Sequence, residues 1–463
     1  MKNISFNIIV AVLAIIHTIA FFLIYGNYTF GIFSVIAFLI VNYLYLRKKE
    51  NLSIISFEFF FFISFFLACI VFPVLPLEET ELYWVSKIFG EMQDGAKWRF
   101  LNLALAGYYV YMLGLVLPKV RTSNREKVKD LDISDTFLTV SNILTLLLII
   151  YFFYAGGMHL MNRYTGEVEY FEKFGGVLSY ITILYTISSA AVAIKWGQSR
   201  NHSLSMLFSS KNSLFVFNSI LILPILLLSG YRSQFLQLFI PLLYLYVFFI
   251  NKISNKKLIL IFAVGFVMMI LIGMTRGGDK ASGGHDIVYY IRDFIIEDAA
   301  GVWLVDYTDA KGPTGGSNAI LQMVSFIPFM GGFLESIIGA QNIALPSSRM
   351  FTYAYDTNGS GLGTNIIGDL YYTFGFVGVI FFMFLLGYII RKLTYHGGIY
   401  SLVCYLLLIG NSVFATRVEY FYMVRKLGFS IIIILLITMV AGKPKYKKCS
   451  RELTAYYRRG EVL

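Results

Sequence analysis

The sequence is poor in charge. Asp, Glu, Lys and Arg together make up 14% of its 463 residues, against roughly 25% in a soluble domain. That shortage excludes a water-coated globule of this length, because too little polar surface is available to cover one. Cysteine is scarce as well. Cys69, Cys404 and Cys449 stand far apart, and the first two lie inside apolar runs, which argues against a disulfide framework. The five histidines (His17, His159, His202, His285 and His396) share no ligand spacing with one another or with cysteine, so no metal centre is expected. No phosphate loop or dinucleotide-binding glycine motif is present, and the chain shows no cofactor signature.

What the chain has instead is hydrocarbon. Hydrophobic residues reach 57% and aromatics 17%, with 43 Phe and 33 Tyr. A bilayer core of ~30 Å needs about 20 apolar residues as a helix. Twelve segments qualify, some of them short. The first nine are Ile4–Tyr25, Tyr28–Leu46, Leu52–Leu75, Phe100–Leu117, Thr136–Tyr154, Phe174–Ile194, Leu214–Ser229, Phe235–Ile250 and Leu258–Thr275. After a long interval come Asp369–Ile390, Ile399–Phe414 and Leu427–Val440. No small-residue cleavage site follows the first segment, so it reads as a retained helix rather than a signal peptide. The expected fold is therefore an all-α polytopic membrane protein with about twelve transmembrane helices. Its expected parts are 1–275 with helices one to nine, 276–368 as a large external loop with interfacial helices, 369–440 with helices ten to twelve, and 441–463 as a basic tail.

Charge sets the expected orientation. With the N-terminus in the cytoplasm, the inner loops and the tail hold 24 of the 38 Lys and Arg. This is a strong positive-inside pattern and places both termini in the cytoplasm. The net charge of +11 thus describes loops beside anionic lipid, not a nucleic-acid surface. Ala319–Ala340 is also long and apolar, but a crossing there would invert the basic tail. Pro328, Gly331, Gly332 and Glu335 also suit lipid poorly, so a re-entrant or interfacial element is expected.

The interval between the ninth and tenth segments spans 93 residues, Arg276 to Gly368. A structureless loop of that length is improbable, so a small helical cap is expected. Asp286–Asp306 fits one helix, with Ile287, Ile291, Phe294 and Ile295 on one face and Tyr289, Arg292, Asp293 and Glu297 on the other. Arginine is the informative residue at this end. Arg232, Arg276, Arg417 and Arg425 flank short turns or helix ends, where guanidinium groups from several helices can converge on one anion. Their planar forks match phosphate oxygens. Interfacial snorkelling is the ordinary alternative for any one of them. Ser347–Gly363 mixes Arg349, Phe351, Tyr353, Tyr355, Asp356 and Asn358, a composition that suits carbohydrate and also suits an ordinary loop. Asp130 and Asp132 in an inner loop read as solvated charge. Glu58 is an intramembrane acid, a functional candidate that can equally snorkel.

These features resemble the O-antigen polysaccharide polymerases, the Wzy family. The resemblance covers nearly the whole chain in hydropathy. Locally it rests on GYRSQF at Gly230–Phe235, NIIGDLYYTFGFVGVIFFMFLLG at Asn365–Gly387 and RVEYFYMVRK at Arg417–Lys426. Some members carry Arg-x10-Gly in two external loops. Here Arg163–Gly175 and Arg349–Gly361 are each one residue longer.

The resemblance implies a membrane glycosyltransferase of the architecture called GT-C-type, acting at the outer face of a bacterial inner membrane. It implies transfer of a growing glycan from undecaprenyl diphosphate to a new lipid-linked repeat unit, without metal, beside a chain-length regulator (a polysaccharide co-polymerase). Arg232, Arg276, Arg417 and Arg425 are the expected diphosphate contacts, the first two acting in the chemistry itself. The expected glycan contacts are Arg163, Arg292, Arg349, Tyr353, Tyr355 and Tyr372. Arginine is no free base, so the candidate bases are Asp293, Glu297, Glu335, Asp369, Glu419 and His285. An O-antigen ligase would share this fold and donor. A lipid-oligosaccharide flippase is the alternative from another class, although transporters place binding groups near the midplane and charge is almost absent from these spans.

Overall fold

The computed structural model describes residues 3–48, 54–74, 95–118, 127–157, 171–199, 208–209, 212–228, 232–275, 297–327, 330–339, 343–355, 363–395 and 397–446. Nearly all of them are helical, because an apolar segment in lipid can satisfy its backbone only within itself. The first half of the chain forms α1 (Asn3–Phe22), α2 (Tyr28–Lys48), α3 (Phe57–Cys69), α4 (Val71–Val74), α5 (Ala96–Val116), α6 (Asp135–Tyr154) and α7 (Phe171–Gly197). It continues with α8 (Ser213–Leu228), α9 (Arg232–Leu245), which ends in a π turn over Tyr246–Ile250, and α10 (Asn255–Thr275). Four cap helices follow: α11 (Glu297–Lys311), α12 (Ser317–Val324), α13 (Met330–Ile338) and α14 (Ser347–Tyr355). The last bundle helices are α15 (Ile366–Tyr395), α16 (Ile399–Asn411) and α17 (Tyr420–Ala441).

Among the described residues, eight helices are long and apolar enough to cross a membrane, and α3, α8 and α16 are shorter apolar helices. Several boundaries differ from the sequence expectation. The segment expected as Leu52–Leu75 breaks at Ile70 into α3 and α4. The eleventh ends at Asn411 rather than Phe414 and passes into a 3-10 turn, Ala415–Arg417. The tenth starts at Ile366, runs past Ile390 to Tyr395 and kinks at Gly375, whose φ of 68° and ψ of −163° only glycine adopts readily. Asp369 therefore lies on a separate stub ahead of the main helix.

α5 and α15 form the centre of the bundle. Gly114 and Gly387 let their backbones touch: a Cβ on Gly387 would collide with the carbonyl oxygen of Tyr111, and one on Gly114 with that of Phe384. Small residues at helix crossings drive packing in membranes, where the hydrophobic effect is absent. Gly387→Val should therefore cost roughly 1–3 kcal/mol by overpacking. A thermal-unfolding midpoint in detergent equal to wild type would contradict this close approach.

The cap is pinned to this centre. Arg99 at the start of α5 pairs with Asp309 of α11 at 2.8 Å, and Tyr371 of α15 donates to the same carboxylate at 2.6 Å. The kink frees backbone carbonyls that α15 would otherwise use internally. Those of Tyr372 and Thr373 accept the N–H groups of Thr314 at 2.8 Å and Gly316 at 3.0 Å. The helix expected over Asp286–Asp306 continues to Lys311, and its part before Glu297 lies outside the described residues. Ala319–Ala340 folds as the two short helices α12 and α13, not as a span.

At the opposite end of the bundle, β1 (Leu131–Asp132) pairs antiparallel with β2 (Lys445–Tyr446), with Asp132 opposite Lys445. Asp130 and Asp132 are exposed, and Asp132 also opposes a tail cation. Glu58 does not snorkel: its side chain is buried beside Tyr45, Tyr108 and Tyr111.

Candidate functional site

One face of α17 carries Tyr422, Arg425, Lys426 and Phe429, spaced i, i+3, i+4 and i+7. One face of α7 carries Gly176, Ser179, Tyr180 and Ile183 at the same spacing. The two faces, with Ser325 just beyond α12, line a cavity of about 480 Å³. Tyr180 and Phe429 meet edge to face at 5.1 Å on its wall. A Cβ on Gly176 would find no atom within 4 Å.

Lys426 is 3% exposed. Its Nζ donates to Gln237 Oε1 of α9 at 2.9 Å and to Asn411 Oδ1 of α16 at 3.2 Å. It also lies 4.7 Å from the centre of the Tyr422 ring, and the Tyr422 hydroxyl bonds both to it and to Ser179. These partners satisfy the ammonium protons but supply no opposing charge. The Arg425 guanidinium lies 5.1 Å from the centre of the same ring. Among the described residues it makes no ion pair and no hydrogen bond. Cations inside a membrane protein ordinarily pair or mark a path for ions or substrates. Two of them here, without a carboxylate, give the cavity a positive potential fitted to an anion. One supplies a compact point charge and the other an unengaged planar fork.

A carboxylate cluster lies next to this cavity. Asp369 is 2% exposed. Its Oδ1 accepts from Ser347 Oγ at 2.6 Å and its Oδ2 from the Tyr420 backbone N–H at 2.9 Å. Glu419 is half-buried. Its Oε1 accepts from Ser348 Oγ at 2.6 Å and from the Ser348 N–H at 3.4 Å. Its Oε2 accepts from Gln322 Nε2 at 2.6 Å. Each carboxylate thus sits at a helix N-terminus that another element presents: Asp369 at that of α17, Glu419 at that of α14. There the free N–H groups and the helix dipole favour negative charge. The pair joins α12, α14, α15 and α17 through two consecutive serines.

The expected residues fall in several places. Of the four expected diphosphate arginines, Arg425 lines the cavity. Arg417 is half-buried in the 3-10 turn before α17. Arg232 opens α9, the helix whose Gln237 holds Lys426, and stands about 7.5 Å along its axis from that residue; its side chain is not described. Arg276 follows α10 and lies outside the described residues, as do Arg163, Asp293, Arg292 and His285. Glu297 is described only as the first residue of α11, and Tyr355 only as the last of α14. Glu335 is exposed on α13. Arg349 and Tyr353 lie one turn apart on the exposed face of α14. Tyr372 lies inside the cap rather than on its surface. It is 4% exposed, donates to the Leu345 carbonyl at 3.3 Å and packs against Tyr307.

A family model described as O-antigen polysaccharide polymerase Wzy matches residues 6–448. The chain belongs to that family. No curated protein and no solved structure matches it at a comparable level. A Wzy polymerase is a multi-pass membrane protein of polysaccharide biosynthesis, and the helices long enough to span a membrane agree. Sequence reasoning passed over three residues that matter in this Wzy chain: Lys426, Ser347 and Gln322. Lys426 closes the RVEYFYMVRK run, and its place one residue before the apolar segment Leu427–Val440 was the available signal; it is the seventh residue of α17. Nothing in the sequence marks Ser347 or Gln322, because their partners are distant in the chain.

Proposed function

We infer that the chain polymerises O-antigen repeat units by moving a growing glycan from undecaprenyl diphosphate to the sugar end of a new lipid-linked unit. The observation that supports this reading best is the cavity of Arg425 and Lys426, whose charges no described carboxylate cancels. The diphosphate occupies it, and the lipid chain lies along the bundle. Charge develops on the diphosphate as the anomeric bond breaks, and fixed cations stabilise that charge. Arg349 and Tyr353, exposed on α14, hold the glycan by charge and ring stacking. In this reading the cap end faces the outer side of a bacterial inner membrane, both termini are cytoplasmic, and the bundle has twelve spans in a GT-C-type arrangement. The parts 1–275, 276–368, 369–440 and 441–463 serve as bundle, cap, bundle and tail. A chain-length regulator docks in the membrane beside it.

Purified protein reconstituted with lipid-linked repeat units and a chelator should form glycans longer than one unit. Products that stay at one repeat would refute the reading and favour a flippase or a ligase. Gly176→Phe places a ring in the cavity from α7 and leaves both cationic residues unchanged. It should cut turnover at least tenfold while leaving the thermal midpoint within a few degrees. Wild-type turnover in that variant would place the diphosphate elsewhere.

A further inference from the structure

We propose that Glu419 is the general base that takes the proton of the acceptor hydroxyl. The proposal rests on the diphosphate occupying the Arg425–Lys426 cavity, and it is carried by where Glu419 stands relative to that cavity. Tyr422, on one wall, is joined to it by one helical turn: the Tyr422 N–H donates to the Glu419 carbonyl at 3.1 Å. Ser325, which also lines the cavity, is joined by one turn to the partner of Glu419: Ser325 Oγ donates to the Gln322 carbonyl at 3.1 Å. Glu419 and its partner Gln322 are therefore each one helical turn in sequence from a residue that lines the cavity, and in this proposal the anomeric carbon of the diphosphate-linked sugar lies between the cavity and the carboxylate.

Its surroundings suit the task. Both oxygens are oriented by neutral donors, Ser348 and Gln322. Oε2, which accepts only from Gln322, keeps a second lone pair, and the residue is only half-buried. Asp369 lacks this freedom, since it is 2% exposed. A second observation points to a hydroxylated ligand: Gln322 Oε1 is buried and has no hydrogen-bond partner among the described residues. An unmet buried acceptor calls for a donor. A sugar with two adjacent hydroxyls provides it, one directed at Gln322 Oε1 and the other at Glu419.

In the step, the acceptor O–H proton passes to a Glu419 carboxylate oxygen. The acceptor oxygen forms the new bond to the anomeric carbon. The bond from that carbon to the diphosphate breaks, and its electron pair leaves on undecaprenyl diphosphate, facing Arg425 and Lys426. Glu419 then releases the proton to water.

The test uses full-length protein, lipid-linked repeat units and Glu419→Gln, which keeps the side-chain size and one acceptor for Ser348. Turnover should fall about 10²–10⁴-fold, the usual loss of a general base, while binding of undecaprenyl diphosphate stays within threefold of wild type. Azide needs no deprotonation, so it should restore turnover as glycosyl azide. A merely structural role would leave azide without effect. Wild-type polymerisation by Glu419→Gln, or failure of azide to restore it, overturns the assignment. If instead Arg425→Ala binds undecaprenyl diphosphate as tightly as wild type, the cavity reading fails, and that outcome is separate from the fate of Glu419.

Discussion

Arg425→Ala should lower glycan formation by about 10²–10³-fold, the loss typical when one fixed stabiliser of developing charge is removed. The effect is large because Arg425 engages no described carboxylate; its five donors are uncommitted and its charge is uncancelled. Arg425→Lys should recover little of that loss if the fork grips two oxygens at once, because an ammonium presents a point charge. Lys426→Met keeps the length and apolar stem but removes the second charge, and should cost activity on the same scale. It should also cost stability, since Gln237 Oε1 and Asn411 Oδ1 lose their shared donor. Each buried orphan acceptor is worth about 1–3 kcal/mol. Repeat-unit ladders on gels and turnover of the purified variants read both effects. Full-length ladders from Arg425→Ala and Lys426→Met together would remove the cavity from the mechanism.

Much of the bundle was legible in the sequence, and the reason is chemical. A membrane span must be long, apolar and helical, so hydropathy alone locates α1, α2 and α6 to within a few residues, whereas α17 begins at Tyr420, seven residues before the expected Leu427. The errors fall where packing overrides hydropathy. Gly375 lies inside an unbroken apolar run, and only its positive φ reveals that α15 is two helices. Ile70 breaks another apolar run at a negative φ of −120°. The site was legible in part. Arginine beside helix ends drew attention to Arg425, but convergence is a property of tertiary contact. Lys426 meets Gln237 across 189 positions and Glu419 meets Gln322 across 97. No local pattern encodes such pairs. Tyr372 shows the reverse case: its aromatic, polar neighbourhood reads as a glycan surface, yet the kink turns it into the cap interior, where the Leu345 carbonyl takes its hydroxyl.

Asp369 separates scaffold from chemistry. Asp369→Ala should destabilise the fold by about 1–3 kcal/mol, because the Tyr420 N–H becomes a buried donor without an acceptor and Ser347 is left with Thr364 as its partner. The loss reaches beyond the residue itself, since those two bonds seat α14 and α17 against α15. Asp369→Asn should behave differently. Its carbonyl oxygen can accept from the Tyr420 N–H while its amide donates to Ser347 Oγ, and Ser347 can then donate to Thr364 Oγ1, 2.9 Å away. Every buried group keeps a partner, so the cost should be within about 1–2 kcal/mol. A scaffold role leaves turnover in the Asn variant, whereas a carboxylate acting as proton acceptor would lose turnover in it with stability nearly intact. Thermal unfolding in detergent, read beside repeat-unit turnover, therefore decides the role of Asp369. An Asp369→Asn protein that melts like wild type and makes no polymer would move the general base from Glu419 to Asp369.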